Sequence, residues 1–165
     1  MTLLLMAGKA GEPQQVTPAD LNIYEYDWSP GGDEFAAIAA PGPADNNWWT
    51  AKLYTVAGHS GQMKMIYAPP VEQQLAAPHW SPDGSRIGFI GGLMSDEGFN
   101  GGDIFVLSKS DGAPKNLTEG KDETPTGFQW RNDQALLYTA VVDGGGAIAT
   151  LNVENGQKEV LWKGG

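Results

Sequence analysis

The chain has 165 residues, 41% of them hydrophobic and 18% charged, which is enough for one domain with a buried core. Its net charge of −10 at pH 7 argues against nucleic acid and anionic membrane surfaces as partners, because like charges repel. Cysteine is absent, which excludes disulfides, a thiolate nucleophile and cysteine-based zinc sites, and which is compatible with the cytoplasm or the periplasm. The 23 glycines and 11 prolines predict short elements joined by turns.

Residues 1–20 begin with an apolar run that is too short for a transmembrane helix and lacks the preceding positive charges of a signal peptide. The pattern within residues 3–17 recurs further along the chain. Each copy has an apolar run, a glycine at its ninth position and an apolar residue five positions later. The copies are residues 53–67, 104–118 and 148–162. Residues 1–20 are therefore predicted to be the second half of a repeat.

The first complete repeat, residues 21–70, contains Trp28, which is followed directly by the turn sequence SPGG. Pro30 pre-sets the backbone angle at the start of this turn, and an apolar strand is predicted to start seven residues after the tryptophan. A later insert contains Trp48 and Trp49. Adjacent side chains alternate faces on a strand, so one of them is expected to pack inward and the other to face outward, where it can contact a partner domain.

The second repeat, residues 71–120, has the motif WSPDG from Trp80 onwards, about fifty residues after its first copy. Its two Asp-Gly pairs are hairpin signals, since glycine accepts the positive φ that such turns need. A long insert, GGLMSDEGFNGGD, lies at residues 91–103. Four strands are predicted in this repeat, at residues 76–80, 86–91, 103–109 and 114–118.

The third repeat, residues 121–165, has WRNDQ in place of WSPDG, with Gln134 where Gly84 stands in the second repeat. Its turn geometry is therefore the least defined of the three. In the other two repeats an apolar residue that starts a strand follows the tryptophan by seven positions. This spacing predicts Leu137 as the equivalent apolar position after Trp130.

Four antiparallel strands about every fifty residues are the period of a β-propeller blade. A lone sheet of this size leaves both faces in water, whereas stacked sheets bury them, and the three tryptophans are expected to fill the gaps between sheets. The sequence thus predicts an all-β fold, a partial β-propeller of about three and a half four-stranded antiparallel blades. The predicted units are residues 1–20, 21–70, 71–120 and 121–165.

The segments PHWSPDGSRIGFI and GGDIFVLSKSDGAPKNLT resemble the repeat of TolB-like and prolyl-oligopeptidase-like propellers. The insert at residues 91–103 looks like those of acylaminoacyl-peptidase and dipeptidyl-peptidase-type serine peptidases. This resemblance implies a propeller of seven or eight blades that caps a separate α/β-hydrolase domain and filters peptides by size. The chain is expected to hold about half of such a propeller, without the hydrolase domain.

The sequence predicts no catalytic centre, cofactor site or metal site. Gly58-His59-Ser60-Gly61-Gln62 lacks the last glycine of the serine-hydrolase motif and falls on a predicted hairpin. The two histidines, His59 and His79, have neither the spacing of metal ligands nor a supporting triad motif. His79, beside Trp80, is interpreted as a packing residue of a strand.

The carboxylate pair Asp96 and Glu97 lies in the long insert of the second repeat. Dipeptidyl-peptidase relatives hold the free amino terminus of a substrate with propeller glutamates, through charge-assisted hydrogen bonds. The resemblance therefore suggests a substrate-binding role for Asp96 and Glu97. The residues around them do not match the usual glutamate motif, and a solvated loop is the alternative interpretation.

The leading hypothesis is a non-catalytic propeller segment of a serine peptidase, which gates peptide access to a hydrolase domain outside this chain. Its partners would be that hydrolase domain and peptide substrates. The alternative is a TolB-like module for protein–protein interaction. A third hypothesis is that two copies associate through open blade faces into one ring, since uncovered sheets favour association.

Overall fold

The structure is a computed structural model, and it describes residues 4–5, 14–42, 45–71, 73–93, 101–110 and 112–165. These residues form three four-stranded antiparallel sheets in succession along the chain, preceded by a two-stranded sheet. The predicted fold class, an all-β partial β-propeller, is therefore confirmed. No helix in the described part of the chain is long and apolar enough to cross a membrane.

In each sheet the strands pair in the order in which they occur along the chain. The two-stranded sheet contains β1 (Leu4–Leu5) and β2 (Gln14–Gln15). The first sheet contains β3 (Leu21–Trp28), β4 (Glu34–Pro41), β5 (Lys52–Ala57) and β6 (Met63–Tyr67), with a 3-10 helix (Asp45–Thr50) between β4 and β5. The second contains β7 (Gln74–Trp80), β8 (Arg86–Gly92), β9 (Asp103–Ser108) and β10 (Lys115–Asn116). The third contains β11 (Thr124–Asn132), β12 (Ala135–Val142), β13 (Gly145–Asn152) and β14 (Lys158–Gly164).

Every sheet has an upstream face, which points towards the preceding sheet, and a downstream face, which points towards the following one. Along β4, Phe35 and Ala37 belong to the cluster on the upstream face, whereas Ala36 and Ile38 belong to the cluster shared with the second sheet. All four side chains are fully buried. Because both faces are covered, β4 is apolar almost without a break and does not alternate with polar residues.

Three tryptophans lie at matching positions near the ends of β3, β7 and β11. Each is paired across the strands with a fully buried apolar residue: Trp28 with Phe35, Trp80 with Ile87, and Trp130 with Leu136. Trp80 is buried between the first and second sheets, and Trp130 packs between the second and third. Trp28 is 37% exposed. Trp80 and Trp130 therefore fill the gaps between successive sheets, as the repeat predicted, whereas Trp28 packs edge-on against Phe35 and stays partly exposed.

The alignment of Leu137 with Phe35 and Ile87, seven residues after the tryptophan of each repeat, is wrong by one residue, because Leu136 is the partner of Trp130. Leu136 is fully buried, and Leu137 is 37% exposed. The reason is a shorter turn: Asn132 pairs with Ala135, so only two residues, Asp133 and Gln134, connect the strands. In the second sheet the matching turn has four residues, 82–85, closed by hydrogen bonds between Ser81 and Arg86. The third turn is two residues shorter, but a bulge at Arg131 adds one residue to β11. Leu136 thus pairs six positions after Trp130, whereas Ile87 pairs seven positions after Trp80, and the alternation of β12 moves by one position.

A serine and a carboxylate close the turn in both of the first two sheets. In the first, Ser29 Oγ donates to Asp33 Oδ1 at 3.0 Å. In the second, Ser81 Oγ donates to Asp83 Oδ1 at 2.6 Å and accepts from the backbone N–H of Arg86 at 2.9 Å. The hydrogen bonds from Ser81 and Ser85 lower the pKa of Asp83 to about 2. Both turns thus contain a hydrogen bond from the serine to an aspartate. The aspartate follows the serine by four residues in the first turn and by two in the second.

We expect Trp80→Ala to lower the free energy of unfolding by about 3–5 kcal/mol, because it empties the gap between two sheets. Trp28→Ala is the matched control, since the same residue at the same strand position is partly exposed there. Its loss should be less than half as large. Urea unfolding followed by circular dichroism measures the free energy of unfolding of both variants. Equal losses would show that burial between sheets does not determine how much stability the tryptophan contributes.

Candidate functional site

The sheets converge along their first strands. β7 lies against both β3 and β11, and the last strand of each sheet is at its opposite edge. We name this convergence of β3, β7 and β11 the inner edge. Side chains on these strands that are not buried between sheets can be reached from the solvent along it.

Two carboxylates and one histidine meet at the inner edge. Glu25 accepts a hydrogen bond from the backbone N–H of Ala77, and Asp27 Oδ2 accepts one from the backbone N–H of Trp80 at 2.9 Å. The side chain of His79 lies between these contacts, with Nδ1 at 3.6 Å from Asp27 Oδ2. The acidic side chains of β3 therefore bind the backbone of β7 in the next sheet.

A bulge in β7 makes these contacts available. The pairing between β7 and β8 is interrupted between Ala76 and His79, and Ala77 has a positive φ of 51°. Pro78, inside the bulge, has no N–H to donate. A bulge turns backbone groups out of the ladder, and the N–H of Ala77 then donates to Glu25 instead.

The two carboxyl groups differ in their protonation behaviour. Burial raises the pKa of Glu25 above its usual value, although the N–H of Ala77 and the nearby His79 act in the opposite direction. Burial also opposes ionisation of Asp27, but His79 and the N–H of Trp80 outweigh it and hold the pKa of Asp27 below its usual value. The side chains of Asp27 and His79 are 34% and 40% exposed, so this part of the cluster is open to solvent.

His79 connects all three sheets. Its ring lies edge-on to Phe128 of β11, with centroids 5.3 Å apart, and its carbonyl oxygen accepts a hydrogen bond from Trp130 Nε1 at 3.0 Å. The structure therefore shows the packing contact expected from the sequence and, in addition, the proximity to Asp27. Sequence reasoning did not single out Glu25 or Asp27. One signal in the sequence could have pointed to Asp27: the residue before each of the three tryptophans is polar, namely Asp27, His79 and Gln129.

The other residues considered from the sequence lie elsewhere. Asp96 and Glu97 are outside the described residues, so their substrate-binding role stays a prediction. His59 and Ser60 are exposed in the hairpin between β5 and β6, where the N–H of Gly61 donates to the carbonyl of Ala57. This is a strand-to-strand turn, whereas a nucleophile elbow needs a strand-to-helix turn. No group of side chains suited to hold a metal occurs in the described part of the chain.

The expectation that Trp48 and Trp49 lie on a strand is wrong, because both are in the 3-10 helix. The division into an inward and an outward side chain is nevertheless present. Trp48 stacks on Tyr24, with centroids 5.3 Å apart, and its Nε1 donates to the carbonyl of Leu75 at 2.9 Å. Trp49 is 52% exposed. The helix occupies the β4–β5 connection, which corresponds to the β8–β9 connection that contains Asp96 and Glu97.

The inner edge has the chemistry to bind a positively charged group. A carboxylate can accept up to about four hydrogen bonds, so Glu25 and Asp27 retain capacity beside the backbone N–H groups that they bind. An amino terminus or a basic side chain would be held there by charge-assisted hydrogen bonds.

No protein-family model matches the chain, and no curated protein matches it. Solved structures do. A protein described as TolB from Agrobacterium tumefaciens is 18% identical, with 98% of this chain and 56% of that chain covered and a TM-score of 0.70. A puromycin-hydrolyzing peptidase from Mycobacterium tuberculosis is 19% identical, with 92% and 26% covered and a TM-score of 0.71. An oligogalacturonate lyase from Vibrio parahaemolyticus is 14% identical, with 99% and 48% covered and a TM-score of 0.75.

These likenesses show the fold. The chain has the TolB-like β-propeller architecture that the resemblance implied, and part of the puromycin-hydrolyzing peptidase has it as well. The chain spans between about a quarter and just over half of the length of these three structures.

We expect Glu25→Gln to raise the melting temperature by a few degrees at pH 8 and to leave it nearly unchanged at pH 4. A raised pKa means that ionisation of Glu25 costs more in the folded than in the unfolded state, so the folded protein loses stability as pH rises through that pKa. The glutamine oxygen still accepts from the N–H of Ala77. Differential scanning calorimetry across this pH range measures the effect.

Asp27→Asn is the matched control with the opposite sign. Because the pKa of Asp27 is lowered, its carboxylate stabilises the folded state above the usual pKa of an aspartate, and this contribution disappears as pH falls through the lowered value. The variant should melt at a lower temperature at pH 8, with a smaller difference at pH 3. If both variants changed the melting temperature in the same direction at pH 8, the opposite pKa shifts of Glu25 and Asp27 would be contradicted.

Proposed function

We propose that the chain is the non-catalytic propeller part of a prolyl-oligopeptidase-type serine peptidase and that it limits the access of peptides to a hydrolase domain. The observation that supports this most is the match to the puromycin-hydrolyzing peptidase, which covers 92% of this chain and 26% of the other. Nearly three quarters of that peptidase thus lie outside the matched propeller region. The chemistry would belong to such an additional part.

A complete ring of such stacked sheets would act as a filter through its shape. The sheets are held together by fully buried apolar side chains, among them Leu53, Leu75 and Phe89, so the inner edge cannot widen without loss of packing. In a complete ring, a flexible peptide would pass along such edges, whereas a folded protein would be excluded by its size. The negative charge of Glu25 and Asp27 would attract the amino terminus of an entering peptide.

Trp49 is the proposed contact to a neighbouring domain. A large aromatic side chain that is 52% exposed, on a short helix anchored by the inward Trp48, is a typical interface anchor. The helix lies on the connection between the second and third strands of its sheet. A hydrolase domain placed over this end of the sheets would cover it.

A TolB-like module for protein–protein interaction is the second candidate. The match to the TolB protein supports it, since it covers 98% of this chain. The sequence encoded next to residue 165 in the gene would distinguish these two candidate functions. A serine-peptidase domain would carry Gly-x-Ser-x-Gly, followed by an aspartate and a histidine.

We expect the isolated chain to release no nitroaniline from acyl-peptide or dipeptide p-nitroanilides above the spontaneous rate. The reason is that Ser60, the serine of the one sequence that approaches the hydrolase motif, lies on a hairpin. Absorbance at a range of chain concentrations measures this. Turnover proportional to chain concentration and abolished by Ser60→Ala would assign the chemistry to this chain.

In the parent peptidase, we expect Asp27→Asn to raise KM about tenfold for peptides with a free amino terminus, which corresponds to one lost charge-assisted hydrogen bond. The same peptides with an acetylated amino terminus are the control, and their KM should not change. An equal effect on both sets would indicate a structural role for Asp27 without contact to the substrate.

A further inference from the structure

The bulge of β7 has a conformation that its own residues disfavour. Ala77 has a φ of 51°, in the left-handed region that residues other than glycine rarely adopt. Pro78 follows it, and a proline restricts the residue before it to extended backbone angles. A backbone of this kind persists where the surrounding structure fixes it, and such residues cluster at functional sites.

The other two first strands have a bulge at a similar place without this strain. In β3 one extra residue lies between Ile23 and Glu25, and in β11 one lies between Pro125 and Gly127. Among the described residues of the three first strands, only Ala77 has a positive φ. The bulge is therefore common to the three sheets, whereas its left-handed conformation is specific to β7.

A contact that is also specific to β7 accounts for this conformation. Ala77 is left out of the pairing with β8, and its N–H donates to the carboxylate of Glu25 in the preceding sheet. Three positions before its tryptophan, where β3 has Glu25, β7 has Ala77 and β11 has Gly127. Neither of these has a side-chain oxygen, so the sheets stack without such a contact elsewhere. Because a partly buried N–H without an acceptor costs stability, the carboxylate favours the conformation that turns this N–H towards it.

The backbone of Ala77 also determines where His79 lies, because the two are separated only by Pro78. In the observed conformation His79 Nδ1 is 3.6 Å from Asp27 Oδ2, and the backbone N–H of Trp80 donates to the same oxygen at 2.9 Å. An extended backbone at Ala77 would redirect the chain just before these contacts.

We propose that Glu25 is a positioning residue: it fixes Ala77 in the left-handed conformation and thereby holds His79 beside Asp27. The side chains of Asp27 and His79 are 34% and 40% exposed, so a ligand can reach them, whereas Glu25 acts on them through the backbone of β7. This inference deepens the proposed function and rests on it only for the identity of the ligand. The arrangement of the three residues can be measured without a ligand, so a failure of the peptide role would leave it standing.

Titration of the side-chain carboxyl carbons of the labelled chain by NMR tests the proposal. Burial acts to raise the pKa of Asp27, and His79 and the N–H of Trp80 outweigh it. Glu25→Met has a similar length and no oxygen, so it should release the bulge and raise the pKa of Asp27, with a gain in proton affinity of at least about threefold. Glu25→Gln is the matched control, because its amide oxygen still accepts from Ala77, and it should not raise this pKa.

The direction of the change separates positioning from the direct effect of charge. Both variants remove one negative charge, which by itself would lower the pKa of Asp27. A rise in Glu25→Met alone therefore reports the loss of positioning. If the pKa of Asp27 falls or stays unchanged in folded Glu25→Met, or changes equally in both variants, the proposal is overturned.

A second substitution tests the role of the strained residue. Ala77→Gly should reduce the rise caused by Glu25→Met by at least about half, because glycine adopts a positive φ without the steric cost that alanine has. Circular dichroism verifies that each variant is folded. A rise that Ala77→Gly leaves unchanged, or an unfolded Glu25→Met that Ala77→Gly does not restore, would count against Glu25 acting through this backbone and would overturn the proposal.

Discussion

The packing of one small sheet against the next is the constraint on which the rest of this molecule depends. A four-stranded sheet cannot bury its own faces, so its stability comes from the apolar side chains that it shares with its neighbours. The closeness of this contact is visible at Gly88, where a Cβ atom would lie 2.8 Å from the ring of Phe128 in the next sheet. Trp80 is buried in the contact between the first and second sheets, and β4 and β8 are apolar on both faces because both faces are covered.

The candidate site is a consequence of this packing. When the sheets converge on their first strands, the bulge of β7 turns backbone N–H groups towards β3, and Glu25 and Asp27 accept their hydrogen bonds. The result is a group of ionisable side chains that is held by the backbone of a neighbouring sheet and is still partly exposed. One arrangement can thus fix the relative position of two sheets and present negative charge along the inner edge.

The same architecture occurs in proteins described as TolB, as a peptidase and as a lyase, so the fold by itself does not define a function. What distinguishes one propeller from another is the side chains at the inner edge and the connections at the ends of the sheets. In this chain those features are the Glu25, Asp27 and His79 cluster and the exposed Trp49.

Local patterns in the sequence were enough to determine the repeat, the four strands of each unit and the position of the tryptophans, because strand alternation and glycine- or proline-containing turns act over a few residues. They did not determine the register of β12, which changed by one residue with a shorter turn, or the helix at Trp48 and Trp49. Only the tertiary structure decided that Asp27 meets His79, since the two are about fifty residues apart and come together through sheet packing. It also decided which faces are covered, because burial of a face depends on the neighbour that packs against it.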